Sequence, residues 1–405
     1  MLDLFTTFSL AATPGAQYKV WAYVAFIALV LGFLALDLGV FHREAHEISI
    51  KEASIWSAIW LTCGISFSAF IYYGYDNHWL GLGLDVPKYA TPAEVAAMRV
   101  IDPTSVSLIT EGTVGGFDAF KQYLTGYVIE KSLAMDNIFV IALLFTFFAI
   151  PNKYQHRVLF WGIVGALVMR GAMIFLGAQL IMKYQWILIV FGVFLILTSL
   201  KMALIKGESD PGNNIVVKLV KRFYPVVPFF DGQRFFTKRT VTPTYSTHPT
   251  TGKLVQDPAP AGTLSVKYAM TPLFLALIMV EITDLVFAVD SIPAIFAITP
   301  DPFIVFTSNI FAILGLRSLY FCLAALIMKF RLLKPALILI LSFVGVKLLL
   351  LSVPPYLPLL GMAARNPIKI DTTISLVVVL GTLTLAVIGS VMFPSKEPLH
   401  TPAAK

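Results

Sequence analysis

Two stretches of the chain place acidic residues inside runs apolar enough to cross a bilayer. The first reads Glu130-Lys-Ser-Leu-Ala-Met-Asp136-Asn137-Ile. The second reads Glu281-Ile-Thr-Asp284-Leu-Val-Phe-Ala-Val-Asp290-Ser291-Ile-Pro293. Asp37, in Leu-Asp-Leu-Gly-Val-Phe, is a sixth acid of the same kind. A charge at the bilayer centre costs about 2.5–3.5 kcal/mol on the insertion scale, so six left unpaired would cost on the order of 15–20 kcal/mol. A chain that tolerates this is expected to use the charges, and the use that suits carboxylates is to bind and pass a cation.

The surrounding donors are oxygens. They are the carboxylates, the Asn137 amide and the hydroxyls of Ser132, Thr283 and Ser291, with no Cys or His nearby. Such a set suits hard divalent ions, Mg²⁺, Ca²⁺ or Mn²⁺, over Zn²⁺ or Cu⁺. Arg170, Arg317, Lys201 and Lys347 lie in or at the ends of apolar runs and are candidate counter-charges, with Lys131 a fifth. Six acids against four or five bases leave one or two negative charges over, which a dication would neutralise. The plainer alternative is that acids and bases pair one by one and lock helices together; for the four bases a structural counter-charge is the favoured role. Asp37 stands nearer the end of its run, where a carboxylate can reach the interface.

Helical spacing limits which of these groups can meet. Residues three, four or seven apart share a face. Glu281 and Asp284 are three apart; Glu130 and Asn137, like Asp284 and Ser291, are seven apart. Asp136 and Asp290 fall six residues after Glu130 and Asp284 and so point elsewhere on a regular helix. Pro293 lacks an amide donor and is expected to break or kink its helix and reorient Asp290. A similar unwinding is expected at Asp136-Asn137.

The elements that must hold these residues are membrane spans. The chain is 58% hydrophobic and 13% charged, with a mean hydropathy of +0.81. Soluble domains carry about 25% charged residues. The fold class is therefore all-α, a polytopic transmembrane bundle, and 405 residues suit roughly nine spans at about 20 residues each. Spans are expected near 20–41, 54–73, 120–149, 157–182, 184–205, 270–299, 303–328, 333–353 and 372–393. The domains read as a two-span unit (20–74), an extracytoplasmic loop without strong periodicity (75–118), a three-span unit (119–205), a basic linker (206–267), a second three-span unit (268–353), and a last span with a tail (354–405). Within the linker, 240–263 reads as irregular, being rich in Pro, Thr and Gly.

Lys and Arg concentrate in the 42–53, 151–156, 206–267 and 329–334 loops and the tail. That face is expected to be cytoplasmic, with the N-terminus outside, the C-terminus inside, and the protein in the inner (plasma) membrane. The net charge of +7 is explained by these loops and implies no nucleic-acid partner. The partners are the lipid bilayer, the cation and protons; a homo-oligomer is left open. Residues Lys218, Lys221 and Arg222 are expected to face anionic lipid. Cys63 and Cys322 form neither a disulfide framework nor a zinc pattern. The first 18 residues lack a basic stretch, so no cleaved signal is read. No tightly bound cofactor is expected.

The acidic stretches also suggest an internal repeat. Glu130-x5-Asp136 lies over Asp284-x5-Asp290, and Asp-Asn-Ile over Asp-Ser-Ile. Arg170-Gly then aligns with Arg317-Ser, and Ile181-Met-Lys183 with Ile327-Met-Lys329. Lys201 and Lys347 each follow 18 residues later. Each unit has three spans, an odd number, so the second is inverted relative to the first. Inverted repeats around a midplane site are the plan of many secondary transporters.

On these same stretches the chain resembles the TerC family of integral membrane proteins, and looks most like its Alx-like branch. Leu36-Asp37-Leu-Gly-Val-Phe-His42-Arg43, Phe230-Asp-Gly-Gln-Arg-Phe-Phe236 and Thr307-Ser-Asn309-Ile-Phe-Ala-Ile-Leu-Gly-Leu-Arg317 add to the likeness, which runs over residues 20–350. The family is associated by name with tellurium resistance and by function with manganese export. The resemblance implies a Mn²⁺ efflux carrier with Glu130, Asp136, Glu281, Asp284 and Asp290 at its cation site. Two other readings stand beside it. An intramembrane aspartyl protease needs two Asp on different spans, but its Gly-x-Gly-Asp context is missing here. A non-transporting membrane protein could instead organise metal-stress or tellurite-resistance complexes through the 206–267 segment.

Overall fold

The computed structural model describes residues 16–39, 50–101, 107–204, 226–227, 229–240, 245–247, 254–256, 266–323, 332–360 and 366–392. The expectations about His42, Lys218, Lys221, Arg222, Lys329 and the C-terminal tail lie outside the described residues. The long helices are α1 (Ala16–Gly39), α2 (Ile50–Asp76), α4 (Gly116–Phe147), α5 (Asn152–Lys183), α6 (Ile187–Leu204), α7 (Pro272–Phe296), α10 (Leu333–Ser352) and α11 (Thr372–Met392). A short α3 (Pro92–Ile101) precedes α4, and α8 (Pro302–Ile313) and α9 (Leu316–Leu323) follow α7. Eight segments among the described residues are long and apolar enough to cross a membrane, α8 and α9 counting together as one. The chain is a multi-pass membrane protein. Helix α4, 32 residues long, is the ninth of comparable length; its middle carries Glu130, Lys131 and Asp136.

The contacts divide the chain into two units. The larger comprises residues up to 142, 163–207 and 283–405. Its centre is the α8–α9 segment, 83% of which is buried, against 22% for the segments in α1, α2 and α11. Helices α6 and α10 pack closely because glycines face each other. A Cβ on Gly192 would meet Leu349 at 2.7 Å, and one on Gly345 would meet Ile196 at 2.9 Å. Farther along, Ser342 Oγ donates to Ser199 Oγ at 3.0 Å.

Two expectations about helix breaks are corrected. Helix α7 runs unbroken through Pro293, and α4 runs unbroken through Asp136-Asn137. Pro293 stands near the C-terminal end of α7, where the lost amide removes a single bond and the remaining turn still closes, Ala297 N–H reaching the Pro293 carbonyl at 3.0 Å. The break falls in the seventh span instead. Gly315 takes φ +79 between α8 and α9, a left-handed conformation open to glycine. A Cβ there would lie 2.5 Å from Trp60 Cβ. Lys131 Nζ donates to the Ala312 and Leu314 carbonyls at 3.0 and 3.4 Å, satisfying acceptors that the break releases.

The 75–118 segment is also more ordered than its composition suggests. Strand β1 (Val86–Tyr89) pairs antiparallel with β2 (Ile109–Gly112). Helix α3 starts in a reciprocal cap: Glu94 N–H donates to Thr91 Oγ1 at 3.2 Å, and Thr91 N–H donates to Glu94 Oε2 at 2.7 Å. Side-chain hydrogen bonds tie this segment to α1, to the α5–α6 turn, to the stretch before α11 and to the end of α7. Lys19 Nζ donates to the Asp85 carbonyl at 3.0 Å. Gln185 Nε2 donates to Ser107 Oγ at 3.1 Å. Lys369 Nζ donates to the Tyr89 carbonyl at 3.1 Å. The Tyr89 hydroxyl donates to the Phe296 carbonyl. Nearby, Asp301 caps α8 through Phe303 N–H at 3.0 Å and accepts from the Tyr75 hydroxyl at 2.8 Å.

The smaller unit comprises residues 143–162 and 208–282. Strand β3 (Phe236–Thr240) pairs with β6 (Val266–Met270), and Val227 N–H joins the edge at the Met270 carbonyl, 2.9 Å away. The Phe236 ring packs on Phe274 with centroids 4.5 Å apart, and the Arg157 guanidinium lies 5.0 Å from the Phe235 ring centre. Part of the stretch read as irregular is a ladder, β4 (Tyr245–Thr247) with β5 (Leu254–Gln256). Tyr245, Thr247 and Val255 suit strands despite the Pro and Gly around them.

Two outcomes follow. The Thr91 amide, foremost, and the Lys88 ammonium hold the Glu94 carboxyl below its ordinary range. A depressed acid stabilises fully above the unfolded glutamate pKa of about 4.3 and loses that contribution as pH falls through its lower folded value. Hydrogen exchange across 86–101, corrected for intrinsic rates, should therefore accelerate between about pH 5 and pH 3, and Glu94→Gln should abolish the change. Gly315→Ala combines left-handed strain with a clash against Trp60, and should cost at least about 2 kcal/mol by thermal unfolding in detergent.

Candidate cation site

Helices α4, α5, α7 and α8 each send polar side chains to one buried cluster in the larger unit. From α4 come Glu130 and Asn137, two turns apart on one face. From α7 come Asp284 and Ser291 by the same seven-residue spacing. Helix α5 supplies Arg170 and α8 supplies Asn309. All six residues are at most 4% exposed.

Arg170 lies at the centre. Its Nε and Nη2 donate to Asp284 Oδ2 and Oδ1 at 3.1 and 2.9 Å, a forked pairing. Its Nη1 donates to Glu130 Oε1, to Asn309 Oδ1 at 2.9 Å and to Ser291 Oγ at 3.4 Å. The amides complete the network: Asn137 Nδ2 donates to Asp284 Oδ1 at 2.8 Å, and Asn309 Nδ2 donates to Glu130 Oε2 at 3.5 Å. One acceptor is left over. Asn137 Oδ1 is buried with no hydrogen-bond partner among the described residues. A buried unpaired carbonyl costs about 1–3 kcal/mol, so its retention suits a group that serves as a ligand.

Two carboxylates and one guanidinium leave the cluster with a net charge of −1. Its acceptors are oxygens from Glu130, Asp284, Asn137, Asn309 and Ser291, without sulfur or imidazole. Hard cations favour that chemistry. Among the described residues no three His, Cys, Asp or Glu side chains gather as a metal-binding group, so amide and hydroxyl oxygens would have to supplement the two carboxylates.

The other candidates fall elsewhere. Asp290 is half-buried and accepts from Thr198 Oγ1 on α6 at 3.0 Å, on another side of α7 from Asp284. Lys201, on α6, is exposed. Glu281 lies one turn before Asp284 on α7, half-buried, in the smaller unit. Arg317 is buried on α9, just after the break. Lys347 is buried on α10 and donates to Ser375 Oγ at 2.8 Å. Asp136 and Asp37 belong to α4 and α1, but their side chains lie outside the described residues. Asn309 is the member of the cluster missing from the sequence-derived set. Its signal was available: an amide in the apolar run Ile-Val-Phe-Thr-Ser-Asn-Ile-Phe.

The model of the integral membrane protein TerC family matches residues 116–397, from α4 through α11. The chain is 38% identical over 393 residues to an uncharacterized membrane protein of Myxococcus xanthus, covering 97% of each chain. It is 36% identical over 342 residues to an uncharacterized membrane protein of Rickettsia bellii, covering 84% of this chain and 92% of that one. It is 39% identical over 329 residues to the putative membrane-bound redox modulator Alx of Escherichia coli K12, covering 81% and 85%. No solved structure matches.

The geometry separates the acids by their energetic roles. Asp284→Ala strips the fork from a buried arginine and should destabilise by about 3–5 kcal/mol. Asp290→Ala removes one partly buried hydrogen bond and should cost about 1 kcal/mol. Thermal unfolding of the two variants in detergent, side by side, checks the difference.

Proposed function

The chain belongs to the TerC family of integral membrane proteins, and we propose that it exports divalent cations, Mn²⁺ foremost, through the buried cluster. The observation that carries this reading is the meeting of Glu130 and Asp284, from the two acidic helices, in an oxygen-only environment beside the unpaired Asn137 carbonyl. A dication between two carboxylates is locally neutral, and its coordination can use the amides and the Ser291 hydroxyl already present. Deprotonated carboxylates bind metal and protonated ones release it, so we take protons as the exchanged ion. Asp136 and Asp290, each six residues after a cluster carboxylate in the sequence, are assigned to the route to and from the cluster.

An inverted repeat underlies this proposal. Contacts between α6 and α10 run in opposite chain order, Gly192 near Leu349, Ile196 near Gly345 and Ser199 near Ser342. The two helices are therefore antiparallel, as equivalent helices of inverted units must be. Under the offset that puts Lys201 on Lys347, the pair Ile196–Gly345 exchanges with Ser199–Ser342. This self-exchange supports a two-fold relation between 119–205 and 268–353. By the charge bias of its loops, the end that carries the β1–β2 hairpin is assigned to the outside of the inner membrane.

The test is Mn²⁺ counterflow in proteoliposomes with a series of competing ions. Glu130→Gln and Asp284→Asn should each lower counterflow at least about tenfold, the equivalent of about 1.4 kcal/mol, and Asp136→Ala and Asp290→Ala should slow it. Ca²⁺ and Mg²⁺ should compete better than Zn²⁺. Wild-type flux in both cluster variants would rule the reading out.

A further inference from the structure

We propose that Arg170 is a built-in counter-cation, which takes the place of the transported dication between Glu130 and Asp284 when the carrier is unloaded. The inference rests on the transport reading above and adds a step to it: the return of the empty protein.

The argument begins with what the guanidinium touches. Among the described residues, every hydrogen bond it makes goes to an oxygen of the candidate ligand set: Glu130 Oε1, both oxygens of Asp284, Asn309 Oδ1 and Ser291 Oγ. It comes from α5, a helix that contributes neither carboxylate, and bridges α4 to α7 as an ion bound between them would. Being always charged, it does this without a proton from solution. The one acceptor it leaves unmet is Asn137 Oδ1, whose own amide is held on Asp284 Oδ1. A planar fork spends its donors in fixed directions and misses that oxygen. A spherical ion has no such restriction.

Charge then makes the two occupants exclusive. The carboxylates with a dication sum to zero, and with the guanidinium to −1. With both cations in the same buried cluster the sum is +1, and each repels the other at close range. Metal binding therefore requires the guanidinium to leave at least one carboxylate. Without either cation, two buried carboxylates would face each other in a low-dielectric interior, a configuration strongly disfavoured for any conformational change that passes through a closed state. Arg170 removes that obstacle on the empty return. The single negative charge still remaining is the share a proton can take.

Lys131 and Lys347 are engaged elsewhere, Lys131 on the Ala312 and Leu314 carbonyls at the α8–α9 break and Lys347 on Ser375. A purely structural strut predicts that loss of Arg170 harms all transport alike. A counter-cation predicts a split, because Mn²⁺/Mn²⁺ exchange never uses the empty form, whereas net flux uses it in every cycle.

The experiment measures both modes in proteoliposomes of the full-length protein: radiolabelled Mn²⁺ exchange against internal Mn²⁺, and net Mn²⁺ uptake into Mn²⁺-free vesicles. Arg170→Gln, with folding checked by size-exclusion profile and melting temperature, should lose at least about tenfold more net flux than exchange. Arg170→Lys keeps the charge but not the fork, so it should recover part of the net flux and show an intermediate ratio. Equal loss in both modes by folded Arg170→Gln, or an unchanged ratio, overturns the inference. If Arg170→Gln does not fold, equal slowing of both modes in Arg170→Lys overturns it. Wild-type protein that moves Mn²⁺ in neither mode refutes transport itself, a result distinct from either.

Discussion

A single guanidinium organises the buried polar part of this protein. Arg170 binds a carboxylate on α4 and another on α7, and reaches an amide on α8. A buried charge left without a partner costs several kcal/mol even after relaxation, so these pairings stabilise the contact between their helices. Each helix that brings one of them is therefore held in register with the others. The apolar contacts around the cluster are tolerant of small shifts; the forked pairing with Asp284 is not, because two parallel bonds fix both distance and plane.

The broken seventh span belongs to the same constraint. Helix α8 places Asn309 against Arg170 and then stops, and the chain turns through Gly315 before α9 carries Arg317 onward. Carbonyls released at such a break need donors within the bilayer. Lys131 supplies them, and it is the immediate neighbour of Glu130 on α4. One residue thus faces the cluster and the next ties its helix to the break. Displacement of α4 would disturb both at once, which couples the cluster to the backbone of α8–α9 through adjacent positions.

The far end is held by a different device. The β1–β2 hairpin and α3 form a small cap, fastened by Lys19, Gln185 and Lys369 reaching in from other segments and by its own Tyr89 reaching out to the end of α7. Three of the four acceptors are backbone carbonyls, and the one on Phe296 is at a helix end, where carbonyls lack an intrahelical donor. Tyr89 reaches the end of α7, the helix that carries Asp284 and Ser291, so the cap and the cluster share one rigid element.

Residue type and spacing alone determined the membrane class, the span positions to within a few residues, the oxygen character of the cluster, and the pairing of Glu130 with Asn137 and of Asp284 with Ser291 on common faces. Those properties follow from hydropathy and the helical period, which are local. Which acids meet a base, which stand apart, and where a helix breaks were settled only by tertiary structure. Pro293 was the obvious place for a break, yet it falls where one missing amide is cheap, while Gly315 sits against Trp60 where only a bare backbone fits. Likewise spacing could sort the six acids by helix face but could not pair them: α5 brings Arg170 to Glu130 and Asp284, and a charge buried in a membrane is defined by its nearest partner rather than by its own identity.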